Sequence, residues 1–241
     1  MLKYISTPVD LQVMTSYTGE LMARDAEATR ERILDSAEAL FAKRGFEGVT
    51  VRQIMSAANA DVALAYYHFK SKRDLFDAVL LRRAKTLNEL RLRALQDVEA
   101  RHAADDVTVE EIIEAFTRPL LDILENDPDE WRDYMALIAQ INNSPEWGGE
   151  LMTRFFDPLV ERFLDAIRTA LPGCREEDLF WSYHFLSGAL TLTFAETGRI
   201  DNLSNGLCRS SDMAAANARM ARFVAAGFKE LCGTGNDKAS K

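Results

Sequence analysis

The chain has 241 residues, 47% of them apolar and 28% charged, an ordinary globular balance with enough length to bury a sizeable core in one large domain or two unequal ones. No run of about 18 apolar residues is present to span a bilayer, and Pro8, Asp10 and Glu20 interrupt any apolar segment of signal-peptide type, so a cytoplasmic location and no membrane partner are expected. The net charge of −9 does not exclude a nucleic-acid partner, because residues 24–85 hold 12 basic against 9 acidic residues, a net of +3, while residues 86–241 hold 16 against 27, a net of −11. A mildly basic head on an acidic body keeps attraction to phosphates local.

Residues 1–23 lack a convincing hydrophobic period and are expected to be disordered, with Met14 and Met22 as candidate later starts. From Ala26 the pattern turns helical: Ile33, Ala37, Leu40 and Phe41 fall on one apolar face. Gly45 behind Lys43-Arg44 suits a left-handed C-terminal cap. Thr50 is placed to cap a short helix running to Ala58, with Val51, Ile54 and Ala58 inward. Asn59-Ala60-Asp61 then makes a tight turn, since Asn tolerates positive φ. Asp61 caps a helix from Val62 to about Phe69. Ser71, with Asp74 three residues on, opens a long charged helix to about Ala100.

Further helices are expected over 108–126, 128–143, 146–171 with a kink at Pro158, 176–197 and 213–231, with a loop over 202–209 and a disordered tail over 233–241. Strand-like alternation is absent, so the fold class is all-α: a head over 24–73 and a larger bundle over 74–232. Cys174, Cys208 and Cys232 are far apart, form no CxxC, and are expected to be free thiols. The C-terminal half has no Ser/His/Asp order, metal-spaced cluster or glycine-rich phosphate loop, and no catalytic residue, metal or cofactor is expected.

Two short helices joined by a three-residue turn and packed on a preceding amphipathic helix make a helix-turn-helix. The second must present a small face to enter a major groove about 12 Å wide; Val62, Ala63 and Ala65 meet that demand, and Tyr66-Tyr67-His68, Ser71, Lys72 and Arg73 cluster at its end. The segments Thr29-Arg30-Glu31-Arg32-Ile33-Leu34, Ala39-Leu40-Phe41-Ala42-Lys43-Arg44-Gly45-Phe46, Thr50-Val51-Arg52-Gln53-Ile54 and Tyr66-Tyr67-His68-Phe69-Lys70-Ser71-Lys72-Arg73-Asp74-Leu75-Phe76 closely resemble, in order and spacing, the TetR family of bacterial transcriptional regulators over about residues 26–80. One departure is Asn59-Ala60 where the family usually has Gly-Val.

The resemblance implies double-stranded DNA as partner. It places Arg52 where a guanidinium reaches guanine, Val62 and Ala63 against base edges, and Tyr66 on a base or the sugar-phosphate. Thr50, Tyr67, His68 and Lys72 match phosphate-contacting positions, with packing as the competing role of Tyr67 and of His68. It further implies a C-terminal bundle that binds a small-molecule effector and forms a homodimer through helices near 176–197 and 212–231, where Gly188-Ala189 and Ala214-Ala215-Ala216 permit close approach. The expected function is a repressor released from a palindromic operator by an apolar or amphipathic ligand. The alternatives are an adaptor derived from a helix-turn-helix protein and an enzyme with an accessory DNA head.

Residues 101–241 hold fourteen aromatics, read either as core or as the walls of a ligand cavity. Leu179-Phe180-Trp181-Ser182-Tyr183-His184-Phe185 followed by Gly188-Ala189 is similar to a C-terminal domain of regulators that respond to fatty acids or acyl compounds. Trp131, Met135, Phe155, Phe156, Trp181 and His184 are the candidate ligand-binding residues, each with core packing as its competing role.

Overall fold

The computed structural model describes residues 11–101 and 106–233, with side chains from residue 24 onward. All regular structure among them is helical, and the chain divides into two compact units, one ending at Val79 and the other beginning at Leu80. No helix among the described residues is long and apolar enough to cross a membrane.

The first unit contains α1 (Leu11–Arg44), α2 (Val51–Ala57), α3 (Val62–His68) and the start of α4 (Lys72–Arg101). The expectation of disorder through residue 23 is corrected from residue 11 on, where α1 already begins; residues 1–10 lie outside the described part. No proline lies between Pro8 and the end of α1, so nothing blocks the helix from propagating N-terminally once its 33–41 turns are packed. Ile33, Leu34, Ala37 and Phe41 of α1 close over Ile54 and Met55 of α2 and over Leu75, Phe76 and Val79 of α4, all essentially inaccessible to solvent. Phe41 meets Phe76 edge-on at 5.0 Å between ring centroids and stacks with Phe46 at 5.9 Å, favourable geometry for aromatic quadrupoles. Burial of Leu75, Phe76 and Val79 moves the boundary of the head from the expected 73/74 to 79/80.

The second unit takes the rest of α4 and adds α5 (Val109–Asn126), α6 (Pro128–Asn142), α7 (Gly148–Ala170), α8 (Glu176–Phe194), α9 (Arg199–Leu203) and α10 (Met213–Gly233). Helix α5 opens on a capping box: the Thr108 amide donates to Glu111 Oε2 at 3.0 Å while the Glu111 amide donates to Thr108 Oγ1 at 3.3 Å. Both α5 and α7 run through an internal proline, Pro119 and Pro158. The expected loop over 202–209 is shortened by α9, whose five residues are too few for a periodic signal. The expected disordered tail lies outside the described residues apart from Gly233, which ends α10.

Helix α10 packs on α5 and α8, and α6 packs on α5, α7 and α8. Their shared core includes Ile113, Leu121, Tyr134, Phe163, Ile167, Leu179, Ala225 and Phe228. Polar ties join α10 to α5: Lys229 Nζ to Glu110 at 2.6 Å and Asn217 Nδ2 to Asp122 Oδ1 at 2.9 Å. The expectation of free thiols holds for Cys208 and fails for the other two. Cys174, in the turn after α7, and Cys232, at the end of α10, form a disulfide with Cα atoms 4.4 Å apart. Packing of α10 along the bundle returns the chain's end to that turn, a juxtaposition that 58 residues of separation conceal in the sequence.

Candidate functional site

The head presents α3 with an unusually thin anchor. Within α3 only Ala65 is buried, at the point where the methyl group faces the core. The helix is fixed at its ends instead. Asp61 Oδ1 accepts from the Ala63 amide at 2.7 Å, and the Phe69 amide donates to the Ala65 carbonyl at 2.7 Å, with the Phe69 ring buried beneath. The turn that delivers α3 depends on Asn59 at φ +49°, the left-handed conformation that Asn accepts at lower cost than most side chains. The departure from Gly-Val therefore leaves the turn intact. Helix α2 is held by its own capping box, the Thr50 amide donating to Gln53 Oε1 at 2.8 Å and the Gln53 amide donating to Thr50 Oγ1 at 3.3 Å.

These caps leave side chains pointing out. Thr50, Arg52, Val62 and Ala63 are exposed, Tyr66 is 65% exposed and Tyr67 79%. Aromatic side chains left so far in solvent contribute little to the core of the head. Arg52 makes no hydrogen bond or ion pair with any described residue, so its five N–H donors are available. His68 is half-buried with its ring edge-on to Tyr67 at 5.0 Å. Lys72 holds its ammonium 4.1 Å above the Phe46 ring, which positions the charge near the C-terminal end of α3 without neutralising it. Exposed Leu64 and Lys70 border the same face and were not singled out from the sequence.

In the second unit a cavity of about 50 Å³ is walled by α4, α5, α6, α7 and α8. Its apolar lining includes Leu87, Phe116, Leu120, Ile138, Met152 and Leu190, and its polar lining is Arg91, Tyr134, Asn142, Tyr183, Ser187 and Thr191. Space of this size holds a few waters and must widen to take a ligand of ordinary size. Of the six candidate ligand-binding residues, Met135 and Phe156 line it. The other four candidates do not. Trp131 is buried beside it, edge-on to Tyr134 at 5.9 Å and covered by the Arg83 guanidinium at 4.9 Å. Phe155 is buried, and its carbonyl accepts from Asn88 Nδ2 at 2.8 Å.

Trp181 and His184 are corrected more fundamentally, since both sit on the exposed face of α8, with Trp181 52% exposed. Leu179, Ser182, Leu186 and Leu190 take the buried face a turn apart. Phe180, Trp181, Phe185 and Leu192 remain outside, with Trp181 and Phe185 stacked at 5.8 Å.

Arg91 is the cavity residue that the sequence reading passed over. It is 6% exposed and donates from Nε to the Phe116 carbonyl at 2.7 Å, with the guanidinium 4.1 Å from the Phe116 ring centroid. Burial lowers its pKa to about 10, which leaves it charged at neutral pH. Burial pushes the neighbouring Tyr183 phenol up to about 12, so that group is neutral. A signal was present: Ala84, Leu87, Arg91, Leu95 and Val98 form one i+3/i+4 row of α4, all buried, and a charge inside such a row is anomalous. Among the described residues no group of three or more His, Cys, Asp or Glu is placed to hold a metal.

Residues 33–79 match the family model described as bacterial regulatory proteins of the tetR family, and residues 114–227 match the model of the tetracyclin repressor-like C-terminal domain. The HTH-type transcriptional repressor NicS of Pseudomonas putida is 40% identical over 68 residues, covering 28% of this chain and 32% of NicS. The HTH-type transcriptional regulator AcrR of Shigella flexneri is 30% identical over 128 residues, covering 53% of this chain and 54% of AcrR. The chain thus matches about a third of the length of one of these curated relatives and about half of the other. A solved structure assigned as a tetR family transcription regulator, from Shewanella sp. PV-4, superposes with a TM-score of 0.59 over 83% of this chain and 95% of that one, at 16% identity, which is a likeness of fold.

Proposed function

The chain belongs to the TetR family of bacterial regulatory proteins, and from that premise we propose that it is a cytoplasmic, homodimeric transcriptional repressor released from its operator by a small ligand. The observation that carries the proposal is α3: one alanine buried, every other side chain from Val62 to Tyr67 exposed, and on the preceding helix an exposed Arg52 with no partner among the described residues.

Two copies of α3 set in successive major grooves, roughly 34–36 Å apart, read a palindromic site. Arg52 donates in bidentate fashion to guanine, Val62 and Ala63 offer only shape and apolar contact, Tyr66 meets a base or the sugar-phosphate, and Thr50, Tyr67, His68 and Lys72 hold phosphates. Arg52→Ala is expected to weaken operator binding by about 1–3 kcal/mol and to relax preference at one base pair. Fluorescence anisotropy against duplex from upstream of its own gene, with random duplex as control and across a salt series, measures both. Unchanged base preference in the variant would move sequence readout to another residue.

The dimer reading is supported by the outer face of α8 and α10. Phe180, Trp181, Phe185 and Leu192 stand exposed on α8, and Phe223 is 75% exposed on α10. Between these two helices, Phe185, Ala189, Phe223, Ala226, Gly227 and Leu231 line an apolar groove. Nothing lies within 4 Å of where a Cβ would stand at Gly188 or Gly227, so a second backbone has room to approach. Trp181 and His184, displaced from the cavity, belong to this surface. Phe185→Asp is expected to convert the dimer to monomer in sedimentation velocity and to abolish cooperative operator binding; a variant that stays dimeric would place the interface elsewhere.

Ligand control runs through α4, which contributes Leu75 and Phe76 to the head's core and Leu87 and Arg91 to the cavity wall. A ligand that widens the cavity shifts this helix and the spacing of the two recognition helices. A 100-fold loss of DNA affinity needs a coupling of about 2.7 kcal/mol, which the ligand supplies by its preference for the shifted state.

A further inference from the structure

We propose that the ligand of the cavity is an amphipathic monocarboxylate, seated with its carboxylate on the Arg91 guanidinium and its aliphatic or aromatic body among Leu87, Met135, Met152 and Phe156. The inference rests on the reading of this cavity as the effector site and names the chemistry that the site selects.

Arg91 is more than nine-tenths buried and charged, yet no described carboxylate pairs with it. Its one hydrogen bond to a described residue runs from Nε to the Phe116 carbonyl. The four N–H groups on its two terminal nitrogens have no acceptor among the described residues, and the residue lines the cavity. A buried cation without a counter-charge is destabilising; its contact with the Phe116 ring offsets only part of that cost. The phenols of Tyr183 and Tyr134 act on it electrostatically, and the Tyr183 phenol, pushed up by burial to about 12, is neutral and provides no charge. A planar fork of free donors matches a carboxylate in geometry and sign.

The rest of the lining sets the remainder of the molecule. No Asp, Glu, Lys or second Arg is in the wall, so a single negative charge balances the site and a dianion leaves one charge uncompensated. Most other lining residues are apolar, with Met135 and Met152 adaptable to a flexible body. Asn142 is engaged with its neighbours, donating from Nδ2 to Ser187 Oγ at 3.2 Å and to Thr191 Oγ1 at 2.6 Å, which leaves Arg91 as the charged anchor.

The test is calorimetric titration of the full-length protein with octanoate and phenylacetate, and with their neutral isosteres octanamide and phenylacetamide. It is run on the wild type, Arg91→Gln and Arg91→Lys. At least one acid is expected to bind the wild type about tenfold or more tighter than its amide, the equivalent of one charge-assisted hydrogen bond. Arg91→Gln is expected to erase that preference while leaving amide binding nearly unchanged, and Arg91→Lys to keep part of it. A purely structural role for Arg91 would alter melting temperature without altering the acid-to-amide ratio. Equal binding of acid and amide, an acid preference that survives in Arg91→Gln, or no acid binding at millimolar concentration each overturns the proposal. Anisotropy with operator duplex is read separately. Acid that binds through Arg91 without releasing DNA upholds the carboxylate site and sinks its role as effector.

Discussion

Phe41→Ala is expected to destabilise the head by about 3–5 kcal/mol. The Phe41 ring is fully inaccessible and touches the rings of both Phe46 and Phe76, so truncation removes the joint through which α1 and α4 meet. A unit that ends at Val79 has few other core aromatics from which to rebuild. Domains of this size have total stabilities of about 5–15 kcal/mol, and a shift of about 4–8 °C per kcal/mol brings the head's melting down steeply. Calorimetry is expected to show the head transition falling while that of the second unit holds, with DNA binding lost at temperatures where the cavity still takes ligand. Phe41→Leu, which keeps volume but not the ring, is expected to lie between. A head transition that stays put in Phe41→Ala would show that the aromatic cluster does not hold the α1–α4 joint.

Loss of the Cys174–Cys232 crosslink is expected to cost roughly 2–4 kcal/mol, by restoring freedom to the 58-residue separation that it closes in the unfolded chain. The cost falls on the second unit, because the bond pins the end of α10, which packs on α5 and α8. Thiol titration of the denatured, unreduced protein is expected to find one thiol, Cys208, and three after reduction. Reductant is then expected to lower the melting of the second unit in the wild type and in Cys208→Ser but not in Cys232→Ser. Three titratable thiols before reduction would show that the bond does not form, and equal melting with and without reductant would show that the ties from Lys229 and Asn217 secure α10 by themselves.

The sequence by itself determined the local architecture of the head, because the signals there act within a few residues. Thr50 with Gln53, Ser71 with Asp74, Gly45 at φ +69° and Asn59 at φ +49° each perform the capping or turning that the residue types imply. Once these fix two short helices, exposure of Arg52, Tyr66 and Tyr67 follows from helical spacing. The same local chemistry gave the start of α5 and the Pro128 start of α6.

What only the tertiary structure decided depends on which faces meet. Helix α8 is apolar on two sides, with Leu179, Leu186 and Leu190 on one and Phe180, Trp181 and Phe185 on the other. A helix without a polar face carries no period to say which side is core, so spacing alone does not reveal that Trp181 and His184 face outward. Arg91 stood in an apolar row of α4, but the row became a cavity wall only when α5 to α8 closed around it. Cys174 and Cys232 met because α10 folds back along the bundle. Sequence spacing carries no distance across such a return, since packing of distant faces, not chain separation, sets which side chains become neighbours.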